Sequence, residues 1–591
     1  MLTALTLSLL VSHVSVTDFG AKPNSLDDAT EAVAKAVAAA KGKGSVVDFP
    51  KGEYHFYREH GFERTLYLSN SDVANPRRIS ILIENREDLK LVGKGARLVF
   101  HDRVMPFAIL GSKKISLQGF EVDWQRPLMS QGKVEAADAT GITLKIDPSK
   151  YPYRLDGGKI VFTDKTWARQ PWGFMEFDPE TRGVAYGTGD WGCLGGGWEN
   201  YQATEISPGL VRMAFAFKRL PKVGNILVAR HGVRDHAGTF ILDSKDIALT
   251  DMSYRHTSGL GVLAQYTENL TYKNVQIAPS VESGRMFAGH DDGFHYSNCK
   301  GKILVDGCRF EGLMDDPINV HGTSVRVDSK VSDRTLKVKF MHGQSVGLRF
   351  GDVGDTVSFI DHESLLSRGT AKIAAINRIS PEEFDVTFDH AVPELGDGDA
   401  LENLTWTPAF TVRKSVFGTV RARGLLVSTP GKVVIEDNVF RSSGSAILIA
   451  GDANGWYESG AVRDVTIRRN WFGNCLTSPY QFCEAVISID PEIPKMGTEP
   501  FHRGIKIEGN TFEVFDAPLL WAKSAGDLTF KNNIVQWSSK YKPWHGNKEA
   551  LTFLGCSNVS VSGNQLDTRF TTRGVKIEGG KPETVKVEGF E

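Results

Sequence analysis

The octapeptide IKIEGNTF, residues 505–512, carries the pattern that decides the fold. Apolar and polar residues alternate, and a short polar turn then ends in asparagine. Four other segments repeat this pattern with asparagine at the same sixth position: VVIEDNVF (433–440), VTIRRNWF (465–472), LTFKNNIV (528–535) and VSVSGNQL (559–566). Alternation indicates β-strands, and a weak motif recurring every 20–50 residues or so indicates a solenoid. We predict that Asn438, Asn470, Asn510, Asn533 and Asn564 form a hydrogen-bonded column, although asparagine is also common at turns.

Looser copies of the motif extend the solenoid toward the N-terminus: LKLVGKGARL (from residue 89), ISLQGFEV (from 115), IALTDMSY (from 247), LTYKNVQI (from 270) and KILVDGCRF (from 302). The motif vanishes between residues 124 and 232 and again between 323 and 415. Each gap has short strands with Gly and Pro turns, and is about the size of a small domain. We predict an all-β protein, a right-handed parallel β-helix with two inserted small β-barrel or β-sandwich domains.

The N-terminal region supplies a cap and a leader. From Val16, the sequence VTDFGAKPNSLDDATEAVAKAVAAAKGKGSVVDFP predicts a helix over residues 27–40 and a strand over 45–49, which resembles the cap of pectin-lyase-like β-helix proteins. The apolar residues before it predict a signal peptide, the alternatives being a truncated start or a first strand. The predicted division is signal peptide 1–15, cap and first coils 16–123, first insert 124–232, coils with paired aspartates 233–322, second insert 323–415 and C-terminal coils 416–591.

Composition narrows the function classes. The net charge is −2 and no basic stripe is present, which argues against a nucleic-acid partner. Beyond the leader no stretch is apolar enough to span a membrane. Because of the predicted signal peptide, we expect a secreted or periplasmic protein. The six cysteines lack metal-ligand spacing; buried thiols are favoured over local disulfides between Cys299 and Cys308 or Cys475 and Cys483. We expect no cofactor and no metal, and the sequence allows a homo-oligomer.

Two aspartate doublets mark the candidate site. GHDDGFH contains Asp291 and Asp292, and MDDPINVHG contains Asp315 and Asp316. Asp292 and Asp315 are 23 residues apart, about one short coil. Because neighbouring parallel strands lie roughly 4.8 Å apart, the doublets should meet on one outer face of the helix. Three histidines accompany them: His290, His295 and His321.

Clustered carboxyls suit acid–base chemistry. Like charges raise one another's pKa, so one carboxyl can stay protonated as an acid while another stays ionised as a base. That is the requirement for cleaving a glycosidic bond. The alternatives are aspartates that cap turns, or a calcium site.

A later segment, GDANGWYESG (451–460), places Asp452 and Glu458 beside Trp456. An aromatic face next to hydrogen-bond acceptors is what a sugar-binding site needs, although a long turn between coils would look similar. Arg423, in VRARGLLV, could bind a hydroxyl or orient a carboxylate.

GHDDGFHYSN, MDDPINVHG and GDANGWYESG together are similar to motifs of glycoside hydrolase family 110, the α-1,3-galactosidases. The cap, the repeats and the two interruptions also resemble that family, over most of the chain. The resemblance implies an exo-acting, inverting enzyme that removes terminal α-1,3-linked galactose from branched blood-group B glycans, linear Gal-α-1,3-Gal, or both. It implies that Asp315 is the general acid, and that Asp292 and Asp316 hold the water and act as base.

The sequence alone leaves two other functions open. A polygalacturonase-like hydrolase would act on an anionic uronate polymer and need a basic groove. Few basic residues lie near the doublets in sequence (Arg285, Lys300, Lys302, Arg309), which favours a neutral sugar. A non-catalytic carbohydrate-binding β-helix is the other rival, because a fold alone does not determine function.

Overall fold

The computed structural model describes residues 12–189 and 193–590, and this part of the chain is a parallel β-helix. Residues 1–11 of the predicted signal peptide lie outside the described residues. His13–Ser15, at the end of that predicted segment, form a strand paired in parallel with Ser45–Asp48. The predicted cap helix spans Thr30–Ala39 and buries its alanine and valine face. Within the described ranges no helix is both long and apolar enough to cross a membrane.

Short 3-10 helices complete the helical content of the described residues: Val16–Phe19, Arg58–His60, Trp198–Asn200, Gly343–Ser345 and Pro582–Thr584.

The larger face of the β-helix, here called the ladder sheet, has 24 strands among the described residues. Most coils contribute one longer and one two- to four-residue strand to it. Its strands are His13–Ser15, Ser45–Asp48, Glu53–Tyr57, Glu87–His101, Lys113–Trp124, Lys245–Thr250, Ser253–Tyr254, Glu268–Lys273, Gln276–Ile277, Lys300–Asp306, Arg309–Phe310, Ala409–Arg413, Val416–Phe417, Lys432–Glu436, Val439–Phe440, Asp464–Arg468, Trp471–Gly473, His502–Glu508, Thr511–Val514, Ala525–Lys531, Ile534–Trp537, Ser557–Ser562, Gln565–Leu566 and Val585–Val587.

The second face, here called the site sheet, has 14 strands within the described ranges. Each coil gives it one strand, and neighbouring coils pair in parallel. The first strand is an exception, because Phe62–Arg64 pairs antiparallel with Arg77–Glu84. Its strands are Phe62–Arg64, Arg77–Glu84, Met105–Leu110, Thr239–Leu242, Val262–Gln265, Phe294–Ser297, Ile318–Thr323, Leu425–Val427, Ile447–Ile449, Ile487–Ile489, Leu520–Lys523, Leu551–Leu554 and Val575–Glu578, with Glu458–Ser459 joined antiparallel to Ile318–Thr323.

Both interruptions form antiparallel β structure. In the first, seven strands make one sheet, in the order Gly183–Val184, Gly173–Asp178, Ile226–Arg230, Ser130–Asp138, Gly141–Lys145, Leu210–Ala214 and Gln202–Ser207; Tyr153–Asp156, Lys159–Thr163 and Ala168–Arg169 form a smaller sheet. In the second, six strands close a barrel: Val325–Ser332, Thr335–Lys339, Glu383–Phe388, Ser367–Arg378, Thr356–Ile360 and Ala400–Asn403. The predicted fold class is confirmed, while the residue boundaries of the six-part division stay a prediction.

The predicted asparagine column runs through the C-terminal coils. Each side-chain amide donates to the carboxamide oxygen of the asparagine one coil further on, at 3.0–3.1 Å, from Asn438 to Asn564. The same oxygens also accept the main-chain N–H of the asparagine before. The column therefore provides hydrogen-bond partners for the buried main-chain N–H groups and side-chain amides of these turns, which would otherwise be unpaired.

Aromatic rings and thiols fill the space inside the coils. Phenylalanines of successive coils, from Phe310 through Phe417, Phe440 and Phe472 to Phe512, stack with ring centroids 4.4–5.3 Å apart. Cys299, Cys308, Cys475 and Cys483 are buried free thiols, so neither proposed local disulfide forms.

Replacing Asn510 by alanine should lower the free energy of unfolding by about 2–4 kcal/mol. Asn510 is fully buried and bonds to Asn470, Asn533 and the Ile467 carbonyl, so the variant leaves polar groups without partners. Denaturant unfolding followed by circular dichroism measures the change. Lys506→Ala, at an exposed position of the strand just before Asn510, is the control. Equal stability of the two variants would contradict a structural role for the column.

Candidate active site

The two aspartate doublets lie just before two neighbouring strands of the site sheet. Phe294 pairs with Ile318, so the register places Asp292 beside Asp316, 24 residues on, and Asp291 beside Asp315. The Gly293 N–H donates to the main-chain carbonyl of Asp316, which continues the ladder into this turn. The doublets therefore meet as predicted, but ahead of the strands, where both side chains of a doublet can avoid the core.

Arg423 extends this column by one coil. Ile318 pairs with Leu425, which places Arg423 beside Asp316 although the second insert separates them in sequence. Its guanidinium donates to Asp316 Oδ2 at 2.8 Å and its main-chain N–H donates to Oδ1 at 3.1 Å. One position in three successive coils thus holds Asp292, Asp316 and Arg423.

A second arginine, Arg234, joins the two doublets. Its Nε lies 2.8 Å from Asp291, and its Nη2 lies 3.2 Å from Asp292 and 3.0 Å from Asp315. Arg234 comes from the loop where the first insert returns to the β-helix. A buried carboxylate needs a partner charge, and here one guanidinium serves three.

Asp315 differs from its neighbours in exposure and charge. Its side chain is 20% exposed, against 5% for Asp292 and 2% for Asp316, and it faces the open pocket. Burial alone would raise its pKa, but Arg421, 3.0 Å away, and Arg234 hold the pKa of Asp315 below its ordinary value.

The two buried aspartates have raised pKa values. Burial raises the pKa of Asp316 to about 7, and the nearby charges of Asp315 and Asp292 act in the same direction. Burial together with the charge of Asp315 raises the pKa of Asp292 well above its ordinary value. The cluster thus pushes the pKa values of its carboxyls apart, lowering that of Asp315 and raising those of Asp292 and Asp316, as acid–base chemistry requires.

A histidine chain runs from Asp292 toward Glu458. Asp292 Oδ2 lies 2.7 Å from His295 Nδ1, and His295 Nε2 lies 2.8 Å from His321 Nε2. His321 Nδ1 lies 2.6 Å from the Gly322 carbonyl and must carry a proton, so a neutral His321 accepts from His295. A neutral His295 then accepts from a protonated Asp292. Burial also lowers the pKa of His295 well below its ordinary value, which is consistent with a neutral His295.

The pocket above these residues has a volume of about 790 Å³ counted to its open mouth. Its wall contains the three aspartates Asp292, Asp315 and Asp316 and the three arginines. The rest of its wall is formed by Asn70, Asn319, Leu426, Leu448, Ala450, Gly451, Asp452, Trp456, Glu458, Gln481, Phe482, Asp490 and Glu492.

The mouth of the pocket involves the second insert. The Trp456 side chain is partly exposed, and its ring centroid lies 4.2 Å from that of His342 in the insert. Asp452 shapes the loop beneath, because it accepts the main-chain N–H groups of Asn454 and Tyr457 at 2.6 and 2.8 Å. Trp456 is thereby held as an aromatic surface at the entrance.

The structure places the predicted site residues in two layers. Arg423, Asp452, Trp456 and Glu458 line the pocket with Asp292, Asp315 and Asp316. The other four, His290, Asp291, His295 and His321, are buried behind the wall and do not line it. His290 bonds to Asp291 at 2.9 Å, and Asp291 in turn holds Arg234.

Sequence reasoning missed Arg234 and Arg421. Arg421 lies two residues before Arg423, in the same pre-strand segment. Arg234 lies in HGVRDHAG, a polar run directly before the strand Thr239–Leu242, which is where the doublets lie in their own coils. That shared position is the signal that could have identified it.

Few basic residues lie near the doublets in sequence, but three arginines from other segments line the pocket. Seven carboxyl groups line it as well: Asp292, Asp315, Asp316, Asp452, Glu458, Asp490 and Glu492. Each of the three arginines already contacts an aspartate. The excess of acidic groups still disfavours an anionic uronate polymer and favours a neutral sugar.

Comparison with known proteins agrees with this architecture. Family models match residues 130–227 as GLAA-B beta-barrel domain I, residues 335–401 as GLAA-B beta-barrel domain II, and residues 13–61 as rhamnogalacturonase A/epimerase, pectate lyase-like. Alpha-1,3-galactosidase B of Bacteroides thetaiotaomicron is 44% identical, over 97% of this chain and 94% of its own length. Alpha-1,3-galactosidase A of Bacteroides fragilis is 36% identical, over 97% and 95%. Among solved structures, a family 28 exopolygalacturonase of Yersinia enterocolitica has a TM-score of 0.39 at 12% identity, over 94% of this chain and 78% of that one.

The β-helix, the inserted barrels and the carboxyl–arginine pocket define a glycoside hydrolase of the parallel β-helix class. Full-length identity of 36–44% to curated relatives makes the assignment more specific. The chain belongs to glycoside hydrolase family 110, the family of the bacterial α-1,3-galactosidases A and B. The resemblance inferred from the motifs is confirmed.

Replacing Arg234 by methionine should destabilise the protein by about 3–5 kcal/mol at pH 8 and by less at pH 5. The variant leaves three buried carboxyls without their shared cation, which raises their pKa values in the folded state. A carboxyl with a raised folded pKa contributes stability at low pH that is lost as pH rises above its unfolded pKa of about 4. Thermal unfolding measured from pH 5 to 8 tests this.

The matched control is Arg154→Met, which removes an exposed arginine paired with Asp156 at 3.3 Å. Its unfolding temperature should follow the wild-type pH curve. Parallel pH curves for Arg234→Met and wild type would show that Arg234 does not neutralise the cluster.

Proposed function

We propose that the protein hydrolyses terminal α-1,3-linked galactose from glycans, with inversion at the anomeric carbon. The observation that carries this proposal is the column of Asp292 and Asp316 with Asp315 beside it at the pocket surface, in a member of the α-1,3-galactosidase family. In this proposal the terminal galactose fills the pocket and the rest of the glycan leaves through the mouth, as in an exo-acting enzyme. The secreted or periplasmic location expected from the N-terminus is part of this proposal.

Asp315 is proposed as the general acid because of its position. In an exo-acting site the glycosidic oxygen lies between the enclosed sugar and the mouth, so the acid must be the more exposed carboxyl. Asp315 is the most exposed of the three aspartates. Its pKa in the free protein is low, however, and a general acid must be protonated. A bound sugar covers the exposed part of Asp315, and this loss of water raises its pKa toward the working range.

Asp292 and Asp316 are proposed to hold and deprotonate the attacking water. Both are buried, and an inverting enzyme places its base on the far side of the anomeric carbon from the acid. When Asp292 accepts a proton from water, its own proton can pass to His295, 2.7 Å away. Contact with His321, which lies 3.6 Å from Glu458, would stabilise the charged His295. His295 and His321 are therefore proposed as positioning residues.

The remaining pocket residues are proposed to bind hydroxyl groups and the sugar face. Glu458 accepts the Asn70 amide at 2.7 Å, which fixes its carboxylate at the wall. Trp456 offers an apolar face at the mouth, where the second sugar of the glycan would lie. Arg423 and Asp452 act by holding Asp316 and the Trp456 loop in place.

Galactose release from two substrates tests the reaction. We expect free galactose from linear Gal-α-1,3-Gal, from the branched blood-group B trisaccharide, or from both, with β-galactose as the first anomer seen by proton NMR. Asp315→Asn should lower kcat/KM by about 1,000-fold or more, because general acid catalysis is lost.

Asp306→Asn is the matched control, since Asp306 also pairs with an arginine, Arg413, but lies on the ladder sheet away from the pocket. It should keep wild-type activity. Folded protein that releases galactose from neither substrate would overturn the proposal and favour a uronate hydrolase or a binding module. α-Galactose as the first anomer would overturn inversion.

The leaving group separates the two candidate acids, Asp315 and Asp316. 4-Nitrophenol needs little protonation to depart, so a variant that lacks the acid should lose about 100-fold less activity on 4-nitrophenyl α-galactoside than on the disaccharide. We expect this pattern for Asp315→Ala, because Asp315 faces the mouth, and a similar loss on both substrates for Asp316→Ala. The opposite pattern would assign the acid to Asp316, whose pKa is about 7.

A further inference from the structure

A second cavity adjoins the loop that carries Arg234. Arg234 lines the galactoside pocket, while the next two residues, Asp235 and His236, line this other cavity. Its volume is about 740 Å³ counted to its open mouth. Its wall contains Arg58, Ala74, Pro76, Arg77, Arg78, Arg103, Met105, Thr166, Asp235 and His236. We call it the arginine pocket.

The charges in the arginine pocket do not balance. Arg103 pairs with Asp235, and Arg78 pairs with Glu63 at 2.5 Å. Arg58 and Arg77 form no ion pair within 4.0 Å to any of the described residues. Asp235 is already shared, because His236 Nδ1 lies 2.5 Å from it. Two guanidinium groups therefore remain without a carboxylate partner in one cavity.

Arg77 is the more unusual of the two. It is only 4% exposed, and its Nε and Nη2 donate to the carbonyls of Leu66 and Asp72 at 3.3 and 2.7 Å. Its Nη1 is buried and has no hydrogen-bond partner among the described residues. Burial lowers the pKa of Arg77 to about 10, even though Asp235 and Asp72 act in the opposite direction. A buried cation with a free N–H group is costly unless an anion binds it.

We propose that the arginine pocket binds a tetrahedral oxyanion, a phosphate or sulfate group, at a site separate from the galactoside pocket. Two unpaired guanidinium groups match the two charges of such an anion. The arginines come from three separate segments, the 3-10 helix Arg58–His60, the start of the strand Arg77–Glu84 and the loop at Arg103, so their donors approach from several directions. That arrangement suits four oxygens better than the two oxygens of a carboxylate.

The arginine pocket is connected to the catalytic cluster through main-chain contacts. Arg77 donates to the Asp72 carbonyl, and the Asp72 N–H donates to the Arg234 carbonyl at 2.5 Å. An anion that holds Arg77 therefore also supports the loop from which Arg234 reaches the aspartates. The cavity is larger than one inorganic ion, so a phosphate or sulfate ester on a sugar also fits.

Isothermal titration calorimetry at constant ionic strength tests the proposal on the full chain. The probes are inorganic phosphate, inorganic sulfate, galactose 6-phosphate and galactose 6-sulfate, with acetate for comparison. We expect one phosphate or sulfate group per chain, bound more tightly than acetate. Tighter binding of the free ions assigns the site to inorganic anions, and tighter binding of the esters assigns it to a charged glycan.

Two variants locate the site. Arg58→Gln removes a guanidinium that has no ion pair to lose, so the protein should fold normally and bind the anion about tenfold more weakly. Arg77→Gln should weaken binding at least as much. Arg154→Gln, at an exposed arginine outside the pocket, should bind like wild type.

Three results would overturn the proposal. The first is no binding of phosphate, sulfate or either ester at concentrations up to about 10 mM. The second is wild-type affinity in folded Arg58→Gln. The third is acetate binding as tightly as phosphate and sulfate. The readout is anion binding, so it does not depend on whether the protein cleaves galactosides.

Discussion

The structure depends on the constraint that each coil must return to the register of the coil before. Main-chain hydrogen bonds between parallel strands allow little freedom here, because a slip of one residue would turn core side chains outward. Register also brings residues at one position of successive coils into columns. The asparagine column and the column of Asp292, Asp316 and Arg423 are two results of this constraint, one structural and one chemical.

The β-helix could be predicted from the sequence because the repeat is periodic and each copy specifies a strand and a turn within a few residues. Asparagine at the sixth position in five segments was sufficient to predict the column that runs from Asn438 to Asn564. The exact partners across the site were harder to predict. Asp292 and Asp315 are separated by one short coil in sequence, but the pairing of Phe294 with Ile318 places Asp292 beside Asp316 instead.

The arginines show why part of the site escaped prediction. Arg423 lies beside Asp316 across an insert of about a hundred residues, and Arg234 enters from the junction of the other insert. The residues close to the doublets in sequence therefore do not indicate which charged groups lie close to them in the structure. The presence of the arginines could have been expected on physical grounds, because several buried aspartates require cations close by, whichever segment supplies them.

The site is assembled from segments that are far apart in the chain, and this has a consequence for biosynthesis. Arg234 precedes the doublets, while Arg423 and Glu458 follow the second insert. Coils can stack in the order in which the ribosome makes them, but the reactive carboxyls stay incompletely paired until both inserts have emerged and the later coil has docked. During much of its synthesis, a nascent chain therefore exposes carboxyls that lack their arginine partners. The active site can form only after the later coils have been made and have docked.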